Sequence, residues 1–138
     1  MESSSITVRT NIKSPINLVW KSWITPADIL KWNAASEEWH TTHAENDFRP
    51  CGRFNYRMEA KDGSMGFDFW GVYDRISINK EIRFTLGDGR KVKVVFSDIG
   101  NVTEVAETFD PESTNSLEMQ RNGWQSILDN FRKHTESK

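Results

Sequence analysis

The feature that most constrains the fold is a series of alternating segments followed by one long amphipathic helix. Between Phe54 and Phe109, apolar side chains recur at every second position, and turn residues such as Asp62-Gly63 and Gly87-Asp88-Gly89 separate the segments. This period of two is typical of antiparallel strands that bury one face. Near the C-terminus, one helical face carries Leu117, Gln120, Trp124, Ile127, Leu128 and Phe131. Because a sheet with one apolar face must be covered, we expect this helix to lie across the sheet.

The N-terminal third predicts one strand and two short helices. Ile6 to Ile12 alternates in polarity, as a half-buried strand does. Ser14-Pro15 predicts a helix start with Ser14 as N-cap and Pro15 as the first helical residue. Thr25 to Asp28 predicts a second start closed by a capping box. The polar segment from Asn33 to Asp47 predicts a loop, with a short strand near Trp39 to Ala44.

Together these elements predict one α+β domain over residues 1–138. We expect a helix-grip fold, in which a curved antiparallel sheet of about six strands wraps around the long C-terminal helix. The two short helices follow strand 1 and fill one end. A chain of 138 residues has the length of a single domain.

Charge and cysteine usage narrow the functional classes. The formal charge is −2, whereas a nucleic-acid binder shows a basic stripe, so we expect no nucleic-acid partner. Cys51 is the only cysteine, which rules out an intramolecular disulfide and suits a cytoplasmic location. Met1 to Ser5 has no apolar core of a signal peptide, and no apolar run reaches membrane-spanning length. We therefore expect no membrane association.

The order of motifs resembles the START-like superfamily (SRPBCC, helix-grip), and in particular the branch of the activator of heat-shock protein 90 ATPase homologues. The motifs that carry the resemblance are Ser14-Pro15 with Val19-Trp20, Pro26 with Leu30-Lys31-Trp32, Cys51-Gly52-Arg53-Phe54, Asp62-Gly63, Phe67 to Tyr73, Thr103 to Phe109 and Gly123-Trp124. They extend over almost the whole chain. Cys51 departs from the pattern, which prefers Gly there. The resemblance implies a cavity between sheet and helix, but it implies no shared reaction.

The inward-facing aromatic residues are the main candidate site. We predict that as a group they line a ligand cavity beneath Trp124, although plain core is the better interpretation of any one of them alone. The candidate ligand-binding residues are Trp32, Trp39, His40, Phe54, Tyr56, Phe67, Phe69, Tyr73, Phe84, Phe96, Glu107, Trp124 and Leu128. The hydroxyls of Tyr56 and Tyr73 could orient a ligand.

Glu107 is the most informative single candidate. By strand parity it shares the face of Val105 and Phe109, where a carboxylate is costly unless it is paired or near water. One interpretation is a polar anchor or an acid/base with a raised pKa. The other is that a bulge or the sheet rim turns the side chain outward.

We expect neither a metal nor a cofactor, and we assign no catalytic residue. His40 and His43 lie three apart, but their segment does not have a helical pattern, so solvated loop histidines are the better interpretation. Trp39-His40 could border the cavity mouth. Cys51 lies near the cation of Arg53, which could lower the pKa of its thiol, but we interpret Cys51 as a small turn residue and not as a nucleophile.

Three functions stay open. The first is binding of a small hydrophobic or amphipathic ligand without established catalysis. The second is an enzyme of the polyketide cyclase/aromatase or hydrolase type, which uses a cavity Glu, Tyr or His. The third is a co-chaperone-like protein-interaction module with a protein partner, for which the outward-facing Trp70 is the one indication. The sequence does not indicate the oligomeric state.

Overall fold

The computed structural model describes residues 5–138, which form one antiparallel sheet and three helices. The sheet order is β1-β7-β6-β5-β4-β3-β2. The strands are β1 (Ile6–Ile12), β2 (Trp39–Asn46), β3 (Arg53–Ala60), β4 (Gly66–Ser77), β5 (Glu81–Leu86), β6 (Lys91–Asp98) and β7 (Thr103–Phe109). The helices are α1 (Ile16–Ile24), α2 (Pro26–Trp32) and α3 (Leu117–Glu136). The α+β helix-grip prediction is therefore confirmed.

The described residues contain seven strands rather than about six, because the polar segment after Asn33 forms a full edge strand. β2 pairs antiparallel with β3, with a register shift between Thr41 and His43. Most β2 side chains are polar and partly or fully exposed. The apolar alternation that reveals a half-buried strand is absent there, which is why the sequence predicted mainly a loop.

The two short helices begin differently from the predicted caps. Pro15 has an extended backbone and occupies the N-cap position of α1, so Ser14 does not cap the helix. Thr25 precedes α2 but its side chain makes no cap hydrogen bond; its hydroxyl instead donates to the Lys21 carbonyl at 2.6 Å. The Ser116 hydroxyl accepts from the Met119 N–H at 3.0 Å and so caps the start of α3.

Helix α3 covers the β1 side of the sheet and contacts both short helices. Arg121 and Gln125 donate to the backbone carbonyls of Thr7 and Arg9 at 3.1 and 2.9 Å. These bonds satisfy acceptors on an edge strand that would otherwise be free to pair with another chain. Phe131 packs edge-on against the rings of Trp23 and Trp32, with centroids 4.9 Å from each.

No helix in residues 5–138 is long and apolar enough to cross a membrane. The N-terminal residues 1–4, to which most of the signal-peptide expectation applies, lie outside the described part of the chain.

Candidate functional site

A cavity of about 320 Å³ lies between α3 and the concave face of the sheet. Its wall combines aromatic and aliphatic side chains with a few polar groups near α3 and the connector before it. The lining residues are Trp23, Trp32, Asn33, Phe54, Tyr56, Met58, Phe67, Phe69, Tyr73, Phe84, Arg90, Glu107, Glu112, Asn115, Met119, Gln120, Gly123, Trp124 and Ile127. Most of the predicted site residues thus meet at one place.

Gly71 allows the aromatic floor of the cavity to form. It lies opposite Phe54 in the β3–β4 pairing. A Cβ on Gly71 would approach the Phe54 ring to 2.8 Å and the Thr85 carbonyl oxygen to 2.7 Å, both closer than real contacts. With glycine there, the buried Phe54 ring contacts Tyr56 and Phe84 at centroid distances of 5.0 Å each.

Trp124 forms the opposite wall from α3. Its ring stacks on Phe109 with centroids 3.9 Å apart and an angle of 9° between the planes. It also meets the edge of Phe69 at 6.2 Å across the cavity. The indole is therefore held against β7 instead of filling the space between helix and sheet.

Gly123 leaves an open space beside the middle of α3. A mid-helix glycine usually indicates that another group packs against the backbone, yet a Cβ on Gly123 would meet nothing within 4 Å. Gly123 belongs to the cavity wall, on the helix face that also carries Met119, Gln120 and Ile127. The missing side chain therefore enlarges the cavity.

Glu107 faces the cavity, so the interpretation with an inward side chain is correct and the outward one is wrong. Only 7% of the surface of Glu107 is exposed to solvent. Its partners on the adjacent strands are Val8 and Val94, and along β7 the same face carries Val105 and Phe109. The carboxylate is therefore set in an otherwise apolar part of the sheet.

Burial raises the pKa of Glu107 to about 8. Within residues 5–138, no hydrogen bond or ion pair reaches its carboxylate, so nothing offsets the loss of water. Burial also raises the pKa of Tyr56 well above its usual range, and the nearby Tyr73 and Glu107 add to this shift. The raised pKa values favour the neutral forms of both Tyr56 and Glu107 at pH 7.

The Tyr73 hydroxyl already has a hydrogen-bond acceptor. It donates to Asn46 Oδ1 at 2.6 Å. Burial raises the pKa of Tyr73 above its ordinary value, although hydrogen bonds with Tyr56 and Asn46 counteract part of that effect. Tyr73 therefore ties β2 to β4, and its freedom to bind a ligand is reduced.

The connector before α3 forms one rim of the cavity. Gln120 Nε2 donates to the carbonyls of Glu112 and Asn115 at 3.0 and 2.9 Å, while Gln120 Oε1 accepts from the Glu112 N–H at 2.8 Å. The Glu112 carboxylate accepts from Asn115 Nδ2 at 2.8 Å. These bonds fix the rim and use up most of its polar groups.

The remaining candidates lie outside the cavity lining. Trp39 packs edge-on against Phe67 at 5.8 Å, next to the partly exposed end of the site. His40 is exposed on edge strand β2. Phe96 is buried against Trp20 at 5.1 Å, and Leu128 is buried in the core.

His40 and His43 lie in edge strand β2 and not in the expected loop, and within residues 5–138 they do not converge with other potential metal ligands. His43 lies 3.5 Å from Glu45, and both side chains are more than half exposed. Within residues 5–138, no group of three or more His, Cys, Asp or Glu side chains is arranged to hold a metal ion. Cys51 is exposed in the turn before β3.

Several lining residues were not among the candidates predicted from the sequence. Met119, Gly123 and Ile127 follow the helical face of Trp124, so their spacing was an available signal. Arg90, Glu112 and Asn115 come from turns and a connector, whose positions depend on how the strands and α3 meet. No local pattern identifies such residues.

Comparison with known proteins finds solved structures that are similar to this one. A solution NMR structure of an AHSA1-like protein from Aeromonas hydrophila is 42% identical, with a TM-score of 0.91, over 97% of this chain and 93% of that one. A protein from Cytophaga hutchinsonii is 50% identical, with a TM-score of 0.84, over 96% and 92% of the two chains. A protein from Chromobacterium violaceum shares the fold at 18% identity, with a TM-score of 0.87, over 96% and 98%. No curated protein matches the chain.

The family model described as Activator of Hsp90 ATPase homolog 1-like protein matches residues 13–136. This match covers most of the chain, and it confirms the branch of the START-like superfamily that the motifs resemble. The chain therefore belongs to the family of Activator of Hsp90 ATPase homolog 1-like proteins.

Proposed function

We propose that this protein binds a small hydrophobic or amphipathic molecule in the cavity between the sheet and α3. The observation that carries the proposal is the cavity itself, about 320 Å³ in volume and walled mainly by aromatic and aliphatic side chains. Ligand pockets typically begin at about 300 Å³ and combine an apolar lining with a few polar groups. This cavity fits the lower end of that range.

Two features of α3 support a ligand instead of a poorly filled core. Gly123 costs the helix about 1 kcal/mol relative to alanine, and no side chain of residues 5–138 lies within 4 Å of the Cβ position it leaves open. Trp124, the largest side chain nearby, is stacked against Phe109 instead of closing the gap. Both features leave the cavity open, and the glycine does so at a cost in helix stability.

Native mass spectrometry of the protein purified from cells is the first test. It should show an adduct of a few hundred daltons that is lost on denaturation. A thermal-shift screen of lipids, sterols and polycyclic aromatics should then identify compounds that raise the melting temperature. A ligand at about 100 times its Kd stabilises the fold by about 2.7 kcal/mol.

A variant pair locates the binding to this cavity. Gly123→Leu places an aliphatic side chain at the empty Cβ position and should abolish the thermal shift while the protein stays folded. Gly123→Ala is the matched control, because it improves the helix without filling the space, and it should keep the shift. An equal shift in all three proteins would place the binding elsewhere and contradict the proposal.

A proton-transfer enzyme is the second candidate, and the environment of Glu107 is what favours it. A carboxyl group with a pKa near 8, close to the Tyr56 hydroxyl, is suited to exchange a proton near neutral pH. In that case Glu107→Gln would abolish turnover of a bound polyketide-like substrate and leave its binding intact. Retained turnover in the variant would contradict this second function.

A co-chaperone-like interaction is the third candidate, and the support from Trp70 is weaker than its parity suggested. The Arg53 guanidinium lies 4.0 Å above the Trp70 ring, and Gly87 lies directly beneath the indole. The ring is half-buried instead of forming an exposed apolar patch. Co-purification of a chaperone with the wild-type protein but not with Trp70→Ala would support this third function.

A cytoplasmic location is part of the proposal. The lone thiol of Cys51 is exposed and unpaired within the described chain, which suits a reducing compartment.

A further inference from the structure

We infer that the ligand of this cavity is a hydrophobic amine whose protonated nitrogen pairs with the carboxylate of Glu107. The inference rests on the proposed function, because it specifies the chemistry of the molecule that occupies the same cavity. It is carried by the position of Glu107, the pairing of the other polar groups and the aromatic wall.

Glu107 is a buried acid without a partner. Its neighbours on the sheet face are Val8, Val94, Val105 and Phe109, each at most 2% exposed. Within residues 5–138, no donor or cation contacts its carboxylate, and burial accordingly raises its pKa. Breaking or omitting one half of a buried ion pair is strongly destabilising, so the site has an unmet demand for a positive charge or a donor.

Three other polar side chains around the cavity already have hydrogen-bond partners. Gln120 uses its amide nitrogen and oxygen on the connector before α3. Tyr73 donates to Asn46, and Glu112 accepts from Asn115. Compared with these three groups, Glu107 would be stabilised most by contact with a polar ligand atom.

The charges around the cavity disfavour anionic ligands. Arg90 is the one cationic side chain among the lining residues, and its Nε donates to Asp88 at 2.8 Å. Its Nη1 also lies 3.5 Å from the Asp110 carbonyl oxygen. A carboxylate or phosphate would enter a space with the Glu112 carboxylate in its wall and, among the described lining residues, no free counter-charge. Fatty acids and phospholipids are thus poor candidates.

The aromatic wall favours a cation. Trp124, Phe69 and Tyr56 all line the cavity, and the Tyr56 hydroxyl is close enough to Glu107 for their charges to interact. Aromatic faces attract ammonium groups, and the attraction increases when water is excluded. A protonated amine at Glu107 would combine this attraction with an ion pair in a region of low dielectric constant.

Three probes that share a naphthyl group and differ only in their polar group test which polar group the cavity prefers. They are naphthylethylamine, naphthylethanol and naphthylacetic acid, titrated calorimetrically at pH 8. We expect the amine to bind wild-type protein about tenfold or more tighter than the alcohol, as a charge-assisted bond implies, and the acid to bind weakest. In Glu107→Gln the amine should lose its advantage over the alcohol. Glu104→Gln, on the outer face of the same strand, should keep it.

The pH dependence in wild-type protein gives a second readout that needs no variant. An alkylamine stays protonated below pH 9, whereas Glu107 must lose its proton to pair with it. The affinity of the amine should therefore rise about tenfold per pH unit between about pH 5 and 7. The affinity of the alcohol should not rise over that range.

The possible failures are distinguishable. If the alcohol binds as tightly as the amine, with the same pH profile, the amine inference is wrong and cavity binding stands. If none of the three probes binds, the amine inference is overturned, and the proposed function is decided by the mass spectrometry and the thermal-shift screen. If Gly123→Leu leaves amine binding unchanged, the binding lies outside this cavity, and both the inference and the proposed function are overturned.

Discussion

Cys51 adopts a backbone conformation that favours glycine. Its φ is 68°, in the left-handed region, and its N–H bonds to the Tyr73 carbonyl at 2.9 Å, so the turn is held in place by β4. The family pattern prefers Gly at this position, and the strained φ explains that preference physically.

Cys51→Gly should therefore stabilise the protein. Relief of the left-handed strain, about 1–2 kcal/mol, exceeds the entropy cost of glycine in the unfolded chain, so we expect a gain of up to about 1 kcal/mol. Urea denaturation measures it. Cys51→Ala, which removes the thiol but keeps the strain, should show no gain; a Gly variant less stable than wild type would contradict the prediction.

Glu107 should make the stability of the unliganded protein depend on pH. Its pKa rises from 4.5 to about 8 on folding, so the folded state resists losing this proton. Stability should be fully present below about pH 4.5 and fall as the pH rises to about 8. At about 1.4 kcal/mol per pH unit, the loss at pH 7 amounts to roughly 3 kcal/mol.

Glu107→Gln should remove this dependence and be more stable than wild type at pH 8. Urea denaturation at several pH values between 5 and 8 measures the two profiles. Glu104→Gln provides the control, because Glu104 is partly exposed on the other face of β7. Parallel profiles for Glu107→Gln and wild type would show that Glu107 titrates normally.

At the scale of elements, α3 is less stable than its sequence could make it. Gly123 lies mid-helix, and apart from the adjoining backbone of α3 a Cβ there would meet no atom of residues 5–138 within 4 Å. Gly123→Ala should raise the free energy of unfolding by about 1 kcal/mol, through helix propensity alone. Thermal denaturation of the unliganded protein measures it, and a destabilised variant would mean that α3 packs more closely than described.

At the scale of the whole molecule, one acidic residue joins α2 to the C-terminal end of the chain. Asp28 Oδ1 in α2 accepts from His134 Nε2 at 2.8 Å and from Lys138 Nζ at 2.7 Å. Burial would raise the pKa of Asp28, but the hydrogen bonds and charges of these two residues outweigh it and hold the pKa below its ordinary value. The carboxylate is therefore stabilising when charged.

Asp28→Asn should destabilise the fold by about 1–3 kcal/mol near neutral pH, as loss of hydrogen bonds to a charged group does. Since the folded pKa is lowered, the stabilising effect is present above about pH 4 and is lost as the pH falls further. Chemical denaturation at pH 7 and pH 3 should show the difference at the first pH and little at the second. Glu37→Gln removes an equal charge from an exposed position and should change neither.

Much of this architecture follows from the sequence. β1, the strands after Arg53 and the long helix were predictable because each buries one face, so its apolar period is visible locally. β2 was not, because its side chains are mostly polar and exposed and its pairing with β3 holds it in place. The predicted side-chain caps at Ser14 and Thr25 were wrong for a similar reason. The direction in which the chain enters each helix decides which residue can cap it, and that direction depends on the tertiary structure.

The candidate site divides in the same way. Sequence alone determined that Glu107 shares a strand face with Val105 and Phe109, because alternation within a strand is a local property. Only the tertiary structure decided that the face opens on a cavity, that Trp124 stacks on Phe109 away from the space, and that Gly123 adds to the volume. A cavity is the space between elements, so its size depends on how they pack, and no single segment of sequence encodes it.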